Sequence, residues 1–168
     1  MKLSRLALMA YGLALVVIVI DQITKAWILN GLDLMEVGRV EVWPPIFNFS
    51  FVLNDGVSFG LFGGGAARWA LSVFSIVVAL ALAWWATRAD RKLLTFAIGL
   101  VMGGAIGNVI DRIRFGGVVD FLDFSGTGLF PWIFNVADSA ITIGVILLIL
   151  DSLIADRPAK VGAAPEKS

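Results

Sequence analysis

Two aspartates stand where a carboxylate is poorly solvated and could act together. Asp120 lies in Val118-Val119-Asp120-Phe121-Leu122-Asp123-Phe124, among large apolar side chains. Asp138 closes Phe134-Asn135-Val136-Ala137-Asp138, at the start of the last long apolar run. In an extended segment Asp120 projects opposite Val119 and Phe121, and partial desolvation raises a carboxyl pKa. Both acids flank one short connection. Two carboxylates that share a site do not both ionise readily, so one keeps a proton near neutral pH. That makes an acid/base pair: the ionised member activates a water, and the protonated member hydrogen-bonds a substrate carbonyl. Each acid also has a plainer reading. Asp120 suits an interfacial polar loop. Asp138 suits a helix start, three residues after the N-cap candidate Asn135, where it would resemble a capping box and meet the helix dipole.

Composition removes the competing chemistries. The chain has 168 residues with no His and no Cys. A Ser-His-Asp triad, a Cys-His pair, an HExxH zinc site and a disulfide framework are therefore excluded. The formal net charge is zero, which argues against a broad basic surface for nucleic acid. Catalysis must be built from Asp, Glu, Lys, Arg, Asn, Ser and backbone.

The elements that position these acids are apolar. The chain is 59% hydrophobic and only 15% charged, against roughly 25% charged in soluble domains. Four blocks, at about 6–29, 67–86, 93–113 and 133–154, have the length of a bilayer-spanning helix. The first begins like a signal peptide, with Lys2 and Arg5 before an apolar run. It continues through Asp21, Lys25 and Trp27 without a small-residue cleavage site, so it reads as an uncleaved span. Lys2, Arg5, Arg88, Arg91, Lys92, Arg157, Lys160 and Lys167 fall on one side of a four-span layout. That places both termini in the cytoplasm. Arg39, Arg68 and Arg114 fall on the other side. The expected organisation is one membrane domain over 1–156 and a disordered cytoplasmic tail at 157–168. Phe47, Phe49 and Phe51 alternate with Asn48 and Ser50, and Val40 and Val42 alternate with Glu41. That period predicts a small extracytoplasmic β-sheet at about 36–60, with Asn54-Asp55-Gly56 as a turn or bulge. Its phenylalanine face either meets lipid or an acyl chain, or packs on the helix tops. The fold class is thus an all-α bundle of four transmembrane helices with a small outer sheet.

Charged residues inside spans are functional candidates by default. Asp21 and Lys25 lie one turn apart and can pair; alternatively they anchor the outer sheet or a lipid headgroup. Asn108 shares a helix face with Asp111 and Arg112. Arg112 either braces a carboxylate or carbonyl through its planar fork or forms an interfacial pair with Asp111. Gly99, Gly103, Gly104 and Gly107 suit close helix approach.

Five segments together resemble the bacterial lipoprotein signal peptidases (signal peptidase II), nearly end to end. They are Asp21-Gln22-Ile23-Thr24-Lys25, then Phe51-Val52-Leu53-Asn54-Asp55-Gly56-Val57-Ser58-Phe59-Gly60, then Gly103-Gly104-Ala105-Ile106-Gly107-Asn108-Val109-Ile110-Asp111-Arg112, and the two segments around Asp120 and Asp138. Val57-Ser58 departs from the small residues usual there, which bears on local loop packing. The resemblance implies an aspartic endopeptidase of the bacterial inner membrane. It would cut a prolipoprotein before a Cys that already carries diacylglycerol. Asp120 and Asp138 would be the dyad, near the extracytoplasmic face. Asn54, Asn108, Arg112 and Asn135 would position substrate and dyad. Asp21, Lys25, Asp111 and Gly104 would support structure. The implied partners are the lipid-modified substrate and membrane lipid. No metal or organic cofactor is implied, and nothing demands more than a monomer. Two rival readings are a small proton- or ion-coupled transporter and a non-enzymatic membrane scaffold whose acids are caps and ion pairs.

Overall fold

The structure, a computed structural model, describes residues 3–56 and 65–155. The segment 57–60 of the expected sheet, with the Val57-Ser58 departure, lies outside those residues, as does the expected tail at 157–168.

Four helices are long and apolar enough to cross a membrane: α1 (Arg5–Asn30), α3 (Ala66–Ala86), α4 (Lys92–Phe115) and α5 (Val136–Ala155). Ser4 caps α1, its side chain accepting from the Ala7 amide at 3.0 Å. A single-turn helix, α2 (Leu34–Val37), follows α1. The centre of the bundle is α4, with α1, α3 and α5 all packed against it. The sequence dictates that placement. The glycines of α4 remove bulk, so backbones approach closely. A Cβ on Gly104 would meet Ile141 of α5 at 2.8 Å and press on the Ala137 carbonyl. The outer three helices instead present Leu15, Ile23, Phe74, Leu80, Ile146 and Leu153 outward, as lipid-facing surfaces do. At the end remote from the sheet, Arg91 Nη2 lies 2.9 Å from Asp151 Oδ2 and ties the start of α4 to α5.

The sheet has four antiparallel strands in chain order: β1 (Arg39–Trp43), β2 (Phe47–Asn54), β3 (Val118–Asp123) and β4 (Ile133–Phe134). The sequence predicts only the first two. The connection around Asp120, outside the expected sheet, supplies the others, so Asp120 sits on a strand, as the extended reading of that segment has it rather than the polar-loop one. Alternation could not reveal β3, because five of its six residues are buried on one face or the other. The apolar residues Ile133 and Phe134 of β4 stand directly before Asn135 and α5 and merge with its apolar run. For that reason the last helix begins at Val136 rather than near 133. Between Phe49 and Val52 the β2–β3 register shifts, a bulge that brings Val52 opposite Asp120 and Asn54 opposite Val118. The phenylalanine face packs on the helix tops. Phe49 and Phe51 join Phe121 over Ile28 and Leu34, and Phe49 meets Trp27 edge-on at 5.7 Å. Asp123, buried in the sheet, accepts from Ser50 Oγ at 2.6 Å and from the Ser125 amide at 2.9 Å. Burial pushes its carboxyl up, but the Ser125 and Ser50 bonds and Arg39 outweigh it and hold the carboxyl below the usual carboxylate range.

Candidate active site

Asp120 and Asp138 arrive from β3 and from the first turn of α5. They are linked through two asparagines. Asn135 Nδ2 donates to Asp120 Oδ1 at 2.7 Å, and to Asn108 Oδ1 at 3.4 Å. Asn108 Nδ2 donates to Asp138 Oδ1 at 2.8 Å. Asn54 Nδ2 completes the cradle, donating to Asp120 Oδ2 at 3.0 Å. The sequence reason is local at each point. Asn54 Oδ1 accepts from the Gly56 amide at 3.0 Å, an Asx turn closed by Gly56 at φ +79°. Asn135 Oδ1 accepts from the Asp138 amide at 2.9 Å, the bond of an N-cap. The carboxylate of Asp138 takes the Asn108 bond instead of a capping-box bond, so capping and site geometry coexist.

Electrostatics couple the two acids. Burial first, and then the Asp138 carboxylate beside it, push the Asp120 carboxyl up to about 6. The amides of Asn54 and Asn135 and the charge of Lys25 act in the opposite direction. A hollow of about 390 Å³ leads to Asp120 between Val52–Asp55 and Pro131–Ile133. Asp138 borders a second hollow of about 280 Å³, between Phe130 and Phe134 on one side and Ser139, Thr142 and Ile143 on the other. The segment 130–134 contributes walls to both.

The remaining candidates divide into two groups. Arg112, in the last turn of α4, is near the acids: its charge acts with those of Asp138, Asp111 and Asp120. Its Nη1 lies 3.5 Å from the Asn108 carbonyl, and its buried Nε has no hydrogen-bond partner among the described residues. The expected alternative, an Asp111–Arg112 pair, does not form. Asp111 pairs with Lys25 at 2.7 Å, and Lys25 pairs with Asp21 at 2.8 Å. These three are almost fully buried. Gln22 belongs with them and was not singled out from the sequence. Its Nε2 donates to Asp111 Oδ1 at 2.9 Å and to Asp21 Oδ2 at 3.2 Å. The signal was its place in an apolar run beside Asp21. Gly104 is where α4 touches the first turn of α5, next to Asp138.

Comparison with known proteins agrees with this architecture. Two solved structures, both described as bacterial membrane enzymes determined by the in meso method, share the fold. One superposes with a TM-score of 0.75 at 34% identity, covering 88% of this chain and 94% of that one. The other gives 0.73 at 31% identity, covering 95% and 93%. The chain is thus of the class of bacterial multi-span membrane enzymes. The family model described as "Signal peptidase (SPase) II" matches residues 13–154. The lipoprotein signal peptidase of Caulobacter vibrioides is 46% identical over 159 residues, 94% of each chain. That of Rhodopseudomonas palustris is 42% identical over 152 residues, 87% of this chain and 92% of that one. The chain belongs to the signal peptidase II family. Membership in a peptidase family displaces the transporter and scaffold readings.

Proposed function

We propose that this peptidase removes signal peptides from diacylglyceryl-modified prolipoproteins, hydrolysing the bond before the lipidated Cys, with Asp120 and Asp138 as its catalytic dyad. One observation carries the reading: the unbroken path Asp120–Asn135–Asn108–Asp138 joins two acids into one electrostatic unit. The pair holds one proton between two carboxyls. The ionised carboxylate takes a proton from water as the water oxygen attacks the scissile carbonyl carbon. The protonated carboxyl gives its proton to the carbonyl oxygen, forming a tetrahedral diol. On collapse the carbon–nitrogen bond breaks. The protonated acid gives its proton to the leaving amine nitrogen of the lipidated Cys while the other carboxylate takes a proton from one diol hydroxyl, so the carbonyl reforms and the dyad again holds one proton. Asn54 and Asn135 hold Asp120 through both oxygens, so the acid does not rotate away as charge moves.

The substrate chemistry fits the surroundings. A signal peptide is an apolar helix and must reach the dyad sideways from lipid, and the hollow beside Asp138 is walled largely by Phe130, Phe134 and Ile143. Asp120 on β3 and Asp138 in the first turn of α5 lie at the end of the bundle opposite the basic turn Arg88, Arg91 and Lys92. On the positive-inside rule that end is extracytoplasmic, with both termini inside. A monomer suffices, because every group invoked belongs to one chain.

The test is cleavage of a diacylglyceryl-modified precursor by purified protein in detergent or bilayer. Asp120→Asn and Asp138→Asn should each lower kcat by roughly 10²- to 10⁴-fold, the scale of losing a general acid or base, with Tm retained. Substantial turnover by either folded variant would remove that aspartate from the dyad. An unlipidated precursor run beside the lipidated one tests the substrate class.

A further inference from the structure

Behind the dyad lies a second set of acids that the chemistry does not use. Asp111 Oδ2 accepts the backbone amide of Val119, the residue before Asp120, at 3.0 Å. Asp21 Oδ1 accepts the backbone amide of Ala137, the residue before Asp138, at 3.0 Å. Each supporting carboxylate thus holds the peptide unit adjoining one catalytic aspartate. One ammonium joins them: Lys25 Nζ lies 2.8 Å from Asp21 Oδ2 and 2.7 Å from Asp111 Oδ2. The same Nζ reaches Asn108 Oδ1 at 3.5 Å, and Asn108 bonds Asp138. Room for the bridge is made by Gly107, where a Cβ would stand 2.8 Å from Asp21 Oδ2.

We infer that Lys25 is a positioning residue that fixes the separation of the two catalytic segments, through two carboxylate arms of matching design, Asp111 to β3 and Asp21 to α5. The inference rests on the reading of Asp120 and Asp138 as the dyad. A helix pair tied at one turn would stabilise α1 alone. This bridge spans α1, α4, β3 and α5, and its far ends are the two amides next to the reacting groups. A shift of about 1 Å at such a point is worth roughly 100-fold in rate. The bridge also has an electrostatic consequence. Asp120 is faced by Asp138 from α5, by Arg112 from α4 and by Lys25 from α1, while Asp21, Asp111 and Asn108 surround Lys25 itself. Burial and Asp138 favour protonated Asp120, and Lys25 favours the ionised form.

The test separates positioning from folding by keeping the buried charge constant. Lys25→Met combined with Asp21→Asn removes one charge of each sign, and the Asn amide oxygen can still accept from Ala137. The expected result is a folded protein with kcat lowered roughly 10- to 100-fold and KM within about twofold. The alkaline limb of its kcat/KM profile should also move to higher pH, because a cation facing Asp120 is gone. Wild-type kcat with an unmoved limb in a folded variant would overturn the inference, as would a paired variant that cannot fold, which would make the bridge a folding element alone. Asp120→Asn and Asp138→Asn run alongside keep the two ideas apart. If they are inactive while the paired variant is unimpaired, the dyad stands and the Lys25 role falls.

Discussion

At the scale of single residues, the site is a set of amides tuning acids. Asn54 and Asn135 donate to the two oxygens of Asp120, and such bonds favour the ionised form. Burial and the Asp138 charge push the Asp120 carboxyl up to about 6, so, on the proposed mechanism, kcat/KM of the free enzyme should fall as pH rises above that value. Asn54→Leu removes a bond that lowers the Asp120 pKa, so the falling limb should shift to higher pH. A pH–rate profile of the variant beside wild type checks this, and an unmoved limb would show that the Asn54 bond does not bear on the dyad. The acids were legible in the sequence because charges within apolar runs are expensive and therefore conspicuous. Among the amides, Asn108 was legible from its place within a span on one face with Asp111 and Arg112, whereas a positioning role for Asn54 and Asn135 came only through the family resemblance. Asn135 reads from the sequence as a cap and nothing more, while its side chain also bonds Asp120 and Asn108. Gln22 is inconspicuous in the sequence because a neutral polar residue beside a charged one in an apolar run carries less energetic cost than the charge itself.

At the scale of elements, the helices were readable and the second half of the sheet was not. Hydropathy marks a span by length alone, and α1, α3 and α4 begin and end near the expected places. The strand β3 is buried on both faces and shows no alternation, and the two apolar residues of β4 merge with the apolar run of α5 across Asn135 alone. The contact of α4 with α5 is the element-scale feature most exposed to test. Gly104 lies against Ala137 and Ile141, with no room for a methyl group. Gly104→Ala should destabilise the protein by about 1–3 kcal/mol through overpacking, read as a lower Tm in detergent. It should also lower activity, because Ala137 adjoins Asp138. A Tm equal to wild type would mean that the two helices separate freely at this level.

At the scale of the whole molecule, orientation follows from charge. With no native Cys, single cysteines report sidedness without background. A Cys replacing Leu129, 90% exposed beside the sheet, should react with a membrane-impermeant thiol reagent in intact cells with a permeable outer layer. A Cys replacing Asp90, in the basic turn at the other end, should react only after the inner membrane is opened. The reverse pattern would invert the topology. The order of the strands has one more consequence. The sheet takes β1 and β2 from before α3 and β3 and β4 from after α4, and Asp138 follows them on α5. A chain whose α5 has not docked on α4 can therefore hold Asn54 in its Asx turn and Lys25 against Asp111 but lacks Asp138. On the proposed dyad, proteolytic competence waits for that helix contact to close.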